Sequence, residues 1–247
     1  MNEAQTGERV ISSPQDEFDS LRFAAPESPC PYLPGRYARS EAYYVEQLEG
    51  ARYEALLARG FRRSGCVVYR PRCRGCQECR AVRIPVADFS PSRSCRRVWR
   101  RNTDLRVTVG DPRPSREKFE LFSRYLDHQH DQTMSRDREA FEEFLYDSPM
   151  AGREFSYFLG DRLIGVGIAD IWSTGVSSVY MYFDPAFARR SPGTYSVLWE
   201  IEYCRRRGIQ HYYLGFFVAG SPKMAYKSRF RPHEVLVGDD RWLTIRE

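Results

Sequence analysis

No stretch of this 247-residue chain approaches the roughly 18 consecutive apolar residues that a bilayer-spanning helix needs. The opening segment, MNEAQTGERVISSPQDEFDS, lacks the apolar centre of a secretory leader. There is no G-x-S-x-G elbow, no phosphate-binding P-loop and no paired-carboxylate motif. Internal repeats and low-complexity tracts are also absent. The four histidines (128, 130, 211 and 233) form no ligand or triad pattern, and His128 and His130 stand two apart at a helix end, pointing to different faces. These absences lead us to expect a soluble cytoplasmic protein without a membrane partner. If it is an enzyme, its chemistry rests on positioning more than on a conspicuous nucleophile.

What is present is uneven. The chain is 42% hydrophobic and 14% aromatic, enough for one large domain or two small ones and too apolar for disorder. Its net charge of +5 hides a concentration. Between Arg59 and Arg101 lie thirteen arginines and no lysine, opposed only by Glu78 and Asp88, so that segment carries about +11 and the remainder about −6. Arginine binds phosphate through a planar fork, so this excess is the electrostatic footprint expected for a polyanion.

Seven cysteines (30, 66, 73, 76, 79, 95 and 204) without an export signal argue for metal binding or thiol chemistry over disulfides. Cys73, Cys76 and Cys79 recur every third residue in YRPRCRGCQECRAVRIPV. A structural zinc site closes with four ligands, and Cys30 is the favoured fourth. Iron–sulfur ligation uses the same residue type, and unligated thiols remain the plain alternative.

The pattern predicts a loose arm over 1–28, a cysteine- and arginine-rich region over 29–110 and a second domain over 111–247. A helix with Tyr43, Leu48, Ala51 and Leu56 on one face should stop at Gly60. Two strands flanking the cysteines, FRRSGCVVYRP and CRAVRIPVADF, should form a hairpin with the thiols at its turn. Ser90 or Ser92 should cap a short basic helix, and Ser115 a longer one. After a further helix come three strands joined in part by the turn Gly-Asp-Arg, then a helix capped at Thr194 and ended by Gly208, then the strand HYYLGFF. Helix–helix–β–β–β–helix–β is an α+β order like that of the GNAT N-acyltransferases: a mixed sheet with flanking helices. In that fold the loop before the late helix, here Arg189 to Thr194, can take a phosphate.

Asp184, in YMYFDP, stands at a strand end, and its plain reading is a turn residue accepting backbone N–H bonds. Lys223, Lys227, Arg229 and Arg231 are interleaved with aromatics near the C-terminus, a pattern that suits a nucleic-acid end, an acidic side chain or a solvated face.

The stretches CPYLPGR, GFRRSG with VYRPRCRGCQECRAVRIPV, FSPSRSCRRVWRRN, GVGIADI, SVYMYFDP and YLGFFVAGSPKMAYKSRFRP together resemble the aminoacyl-tRNA–protein transferases of the arginyltransferase class. A single early Cys30 followed by the Cys73/Cys76/Cys79 run is the arrangement of the bacterial aspartate/glutamate leucyltransferase branch. The resemblance implies transfer of an amino acid, leucine in that branch, from its tRNA to proteins beginning with Asp or Glu, a step of the N-degron route. It needs no cofactor for the reaction, with a structural zinc ion or iron–sulfur cluster possible at Cys30, Cys73, Cys76 and Cys79. On this reading Arg93, Arg96, Arg97, Arg100, Arg101 and Arg190 face the tRNA. Asp184 or Tyr182 handles the amine proton, Tyr212 and Tyr213 line the amino-acid pocket, and Lys223, Lys227 and Arg229 meet the acceptor's acid. An arginyl-tRNA transferase, an acyl-CoA N-acetyltransferase and a non-catalytic, metal-dependent RNA-binding module are the alternatives.

Overall fold

Residues 80–85 and 105–110, expected to belong to the cysteine-rich region, instead lie in the same sheet as the C-terminal strands. A computed structural model describes residues 22–24, 26–129 and 134–246. Most of the expected arm and His130 lie outside the described residues.

The first part builds a four-stranded sheet in the order β1-β4-β6-β5 from β1 (Arg22–Ala24), β4 (Ser40–Tyr44), β5 (Arg62–Ser64) and β6 (Val67–Pro71). A two-stranded ribbon, β2 (Ser28–Pro29) with β3 (Tyr37–Ala38), stands beside it. The helix α1 (Gly50–Ala58) buries Tyr53 and Leu57, four residues apart on one face, and ends at Gly60, whose φ of +83° suits glycine. Its start corrects the sequence reading. Tyr43 lies in β4, because pairing with β1 on one side and β6 on the other outweighs the local helical periodicity.

The second sheet has eight strands in the order β14-β13-β7-β12-β11-β10-β9-β8. Its members are β7 (Arg80–Pro85), β8 (Leu105–Gly110), β9 (Gly152–Leu159), β10 (Arg162–Ile171), β11 (Gly175–Phe183), β12 (His211–Phe217), β13 (His233–Val237) and β14 (Arg241–Ile245). All described pairs are antiparallel except β11 with β12, which are joined by the crossover helix α5 (Pro192–Arg206). The β9–β10 hairpin turns at Gly160, with φ of +58°. The expected β6–β7 hairpin does not form: β6 belongs to the small sheet and β7 lies between β12 and β13. A boundary at residue 110 therefore cuts through one sheet.

One face of the large sheet is covered by α5 and the basic helix α2 (Arg93–Arg101), the other by α3 (Arg116–Gln129) and α4 (Arg138–Leu145). Ser92 caps α2 by accepting from the Cys95 amide at 3.3 Å, and Ser115 accepts from the Lys118 amide at 3.3 Å. The helix α5 begins earlier than expected, with Ser191 at the N-cap and Pro192 in its first turn, where a missing N–H costs nothing. No helix among the described residues is long and apolar enough to cross a membrane. The observed class is α+β with a large mixed sheet.

Candidate functional site

The cysteine run is the crossing between the two sheets. It leaves β6 at Pro71 and enters β7 at Arg80, so its shape is set by what the sheets require at both ends. The Arg39 amide donates to the Cys73 sulfur at 3.4 Å, and the Arg36 guanidinium donates to the Cys76 sulfur at 3.1 Å. Burial, followed by the neighbouring Cys30, Cys73 and Cys76, pushes the Cys79 thiol up to about 12. Cys30, Cys73 and Cys76 thus each lie within electrostatic reach of Cys79, and two of the sulfurs accept from N–H donors. As a donor set they suit a soft ion. Among the described residues, no three His, Cys, Asp or Glu side chains stand at metal-ligand spacing.

Beside this loop opens a cleft of about 360 Å³, bordered by Arg59, Arg72, Arg80, Cys76, Phe216 and Asp239. Its arginines are partly neutralised. Arg70 and Arg72 both pair with Glu41, at 2.7 and 3.4 Å, and with Asp239, at 3.3 and 2.9 Å. Burial would raise the Glu41 carboxyl, yet hydrogen bonds from Tyr43 and Arg70 outweigh it and hold the group down at about 2.

A second feature lies where β11 and β12 part. Their parallel pairing covers only Gly175–Ser177 against His211–Tyr213. Just past it, the Arg62 guanidinium reaches from β5 and donates to the Ser178 carbonyl. On β12, Gly215 has φ of +96°, and a Cβ there would meet Lys227 Nζ at 3.1 Å and Arg62 Nη2 at 3.6 Å. Lys227 Nζ donates to the Phe216 carbonyl at 2.8 Å. Arg62 and Lys227 are each 8% exposed, and neither has a carboxylate partner among the described residues. Burial, then the Arg62 charge, pushes the Lys227 ammonium down to about 7.

The arginine helix behaves as its sequence suggests. Cys95 is buried and Trp99 packs on Tyr195 with ring centroids 5.6 Å apart, while Arg93, Arg96, Arg97, Arg100 and Arg101 are exposed. Arg190 is a different matter. It makes a two-pronged ion pair with Asp104 at 2.8 and 2.9 Å and donates to the Arg101 carbonyl at 3.0 Å. Its charge braces the loop before α5 against the end of α2.

Several expected residues have other employment. Asp184 is 4% exposed: one oxygen caps the following 3-10 turn by accepting from the Ala186 amide at 3.0 Å, and the other accepts from Arg162 at 2.6 Å. Tyr182 is fully buried beside Phe122 and Phe141, with its hydroxyl 3.4 Å from that of Tyr146. Desolvation keeps that phenol well above its ordinary value. Tyr212 and Tyr213 cannot line one pocket, because neighbours on a strand face opposite ways. Tyr212 donates to Glu200 at 2.8 Å, whereas Tyr213 packs on Trp172 and accepts from Arg83 at 3.3 Å. Lys223 and Arg229 are exposed while Lys227 points inward, so these three do not share a face.

Sequence reasoning missed Arg62 and Glu200. Arg62 enters the sequence reading through the charge excess, the strand FRRSGCVVYRP and the stretch GFRRSG, without a role of its own, and its inward direction depends on a strand pairing that alternation alone does not locate. Glu200 lies between Trp199 and Ile201 on α5 and is 1% exposed. It accepts from Ser196 at 2.5 Å as well as from Tyr212. A carboxylate inside an apolar helix segment was the available signal.

Family models described as arginine-tRNA-protein transferase, N terminus, and arginine-tRNA-protein transferase, C terminus, match residues 28–97 and 117–237. An aspartate/glutamate leucyltransferase of Stenotrophomonas maltophilia strain K279a is 42% identical over 237 residues, covering 92% of this chain and 94% of that protein. One from Halorhodospira halophila is 40% identical over 85% of this chain and 91% of that protein. One from Pseudomonas aeruginosa strain PAO1 is 38% identical over 93% and 99%. Among solved structures, the C-terminal domain of a putative lysylphosphatidylglycerol synthetase from Agrobacterium fabrum aligns with TM-score 0.46 and 12% identity, covering 71% of this chain and 54% of that one. The crystal structure of FemX aligns with TM-score 0.42 and 13% identity, covering 72% and 63%. With family models matched over residues 28–97 and 117–237 and relatives alike over nearly their whole length, the chain belongs to the arginine-tRNA-protein transferase family and is an aminoacyl-tRNA–protein transferase.

Proposed function

We propose that this protein takes leucine from leucyl-tRNA and joins it to the N-terminal amine of proteins that begin with Asp or Glu, an N-degron step in the cytoplasm where charged tRNA is found. The observation that carries this is the likeness, over 92% of the chain, to relatives named for that reaction. The physical reading agrees. The donor is a row of phosphates, and α2 presents five exposed arginines on the side away from its buried Cys95.

The reaction is aminolysis of an ester. The amine nitrogen attacks the ester carbonyl carbon, the C–N bond forms, and the ribose oxygen of the tRNA leaves and takes a proton. The ester is already activated, so the protein's task is to bring the two ends together and stabilise the oxyanion. The amine, with an ordinary pKa near 7.7–8.0, must first lose a proton. In this reading Asp184 and Tyr182 hold the scaffold and do not carry that proton. The order β9–β10–β11, α5, β12 supports a GNAT-like second half.

The thiols of Cys30, Cys73, Cys76 and Cys79 would hold a zinc ion or an iron–sulfur cluster. Bound there, such a group would supply a structural clamp on the crossing between the sheets. Arg36 and the Arg39 amide already orient two of the sulfurs.

The test is transfer of labelled amino acid from leucyl-tRNA and arginyl-tRNA to peptides beginning with Asp, Glu, Arg or Ala. Leucine on Asp and Glu alone is the expected result. Arginine transfer would keep the family and overturn the donor. Acetyl-CoA turnover, or tRNA binding with no transfer, would overturn the reaction.

A further inference from the structure

We propose that Arg62 and Lys227 together form the subsite that reads the acceptor's acidic side chain, with its carboxylate taken between them above Gly215. This rests on the reading that the acceptor begins with Asp or Glu.

The argument starts from an imbalance of charge. Buried arginines elsewhere in this chain come with their own anion: Arg63 has Asp170, and Arg70 has Glu41. Arg62 and Lys227 are as buried as these, yet their described partners are backbone carbonyls, of Ser178 and Phe216. A carbonyl satisfies one N–H and neutralises nothing. A guanidinium has five N–H donors and an ammonium three, and the described protein acceptors of the pair are one carbonyl each, so the other donors are left to water or to a guest. Two like charges brought together out of water are costly until an anion joins them. The depressed Lys227 ammonium reports the same strain, burial and Arg62 acting in one direction.

The backbone is shaped for such a guest. Gly215 shifts the register of β12 against β7 and leaves no Cβ in the space that the two cationic heads approach. The described β11–β12 pairing ends at Ser177 and Tyr213, and the carbonyl of the next residue, Ser178, is taken by Arg62. Phe216 lies next to this point, its carbonyl accepting from Lys227, and it also borders the cleft, whose lining otherwise stops short of Arg62, Gly215 and Lys227. The two cations come from opposite ends of the chain, β5 and the 3-10 turn Tyr226–Arg229, so the subsite exists only in the folded protein. A carboxylate entering here gains charge-assisted hydrogen bonds from both heads, whereas an amide leaves both charges unopposed. Discrimination between Asp and Asn follows from that difference.

The experiment compares two peptides differing only in their first residue, Asp or Asn, with leucyl-tRNA as donor and the full-length protein as enzyme. Arg62→Met and Lys227→Met keep the apolar stems and remove one charge each. Each should lower kcat/KM for the Asp peptide by about 10- to 100-fold, chiefly through KM. The Asn peptide should be little changed, as should leucyl-tRNA affinity measured by fluorescence anisotropy. Arg62→Lys and Lys227→Arg should retain part of the preference, which separates loss of charge from loss of fold. Equal losses on both peptides, or a fall in kcat with the Asp KM unchanged, would overturn the assignment. Calorimetric binding of the Asp peptide to wild type and variants gives an independent reading. Wild type that binds the Asp peptide through this pair but transfers nothing would sink the proposed reaction and leave the subsite. Transfer to Asp with binding unaffected by either variant would do the reverse.

Discussion

Arg63 on β5 and Asp170 on β10 form a two-pronged ion pair at 2.7 and 2.5 Å, with side chains 1% and 0% exposed. It joins the small sheet to the large one across 107 residues of sequence. The pair fixes β5 against the large sheet, where its neighbour Arg62 donates to the Ser178 carbonyl.

Breaking that pair from one side should be severe. Arg63→Met leaves Asp170 buried and uncompensated, at a cost of about 3–5 kcal/mol. Urea unfolding monitored by fluorescence should show it as a lower midpoint. The double variant Arg63→Met with Asp170→Leu should recover a substantial part. Failure of the double variant to recover would mean that the packing, and not the stranded charge, sets the loss.

Glu200 should make stability fall as pH rises. Burial raises its carboxyl to about 7, against an ordinary value of 4.5, and outweighs the hydrogen bonds from Ser196 and Tyr212 that would lower it. The folded state therefore holds this proton over a window from about 4.5 to 7 in which the unfolded chain has lost it. The stabilisation is full below that window and is lost as pH climbs through it. Glu200→Gln, which cannot ionise, should gain on the wild type by about 1–3 kcal/mol between pH 4.5 and pH 8. Parallel urea titrations at those two pH values measure the difference.

Reversing charge on α2 should weaken tRNA binding without unfolding the chain. Arg97→Glu and Arg100→Glu change exposed side chains that this helix does not need for packing. Each should reduce the slope of log affinity against log salt by about 1. Fluorescence anisotropy between 50 and 200 mM salt reads this. Arg190→Ala acts otherwise, freeing Asp104 and the end of α2, so its main effect should be on thermal stability, with the salt slope unchanged.

The cysteine crossing should hold about one zinc ion or one cluster per chain. Elemental analysis of the purified protein should find it, and Cys79→Ser should abolish it. A chelator should lower the melting temperature of the wild type and leave Cys79→Ser unmoved. Protein free of zinc and iron as isolated, with the same melting temperature after zinc is added, would make the four thiols ordinary ones.

The legible parts of this protein are those where a few neighbouring residues settle the outcome. Ser92 and Ser115 cap helices because a side-chain oxygen meets an amide three residues on. Gly60 and Gly160 turn the chain because their φ is positive. The arginines of α2 face water because Cys95, Val98 and Trp99 occupy the buried side. The α+β class, the charge concentration and the family resemblance all follow from patterns of this kind.

Distant segments decided the rest. Nothing between Pro71 and Arg80 announces that the chain is crossing to another sheet, since a strand of β-branched residues pairs equally well in either. Only the assembled sheet puts β7 between β12 and β13. Nor does a run of thirteen arginines say which are exposed and which are inside. Arg63 acquires Asp170 and Arg70 acquires Glu41 through pairings that fix strand register, while Arg62 is left with a carbonyl and Lys227 for company. Local sequence determined the elements and the surplus of positive charge. The tertiary structure decided where that charge goes unopposed, because burial and strand partners, not residue type, set whether a cation finds its anion.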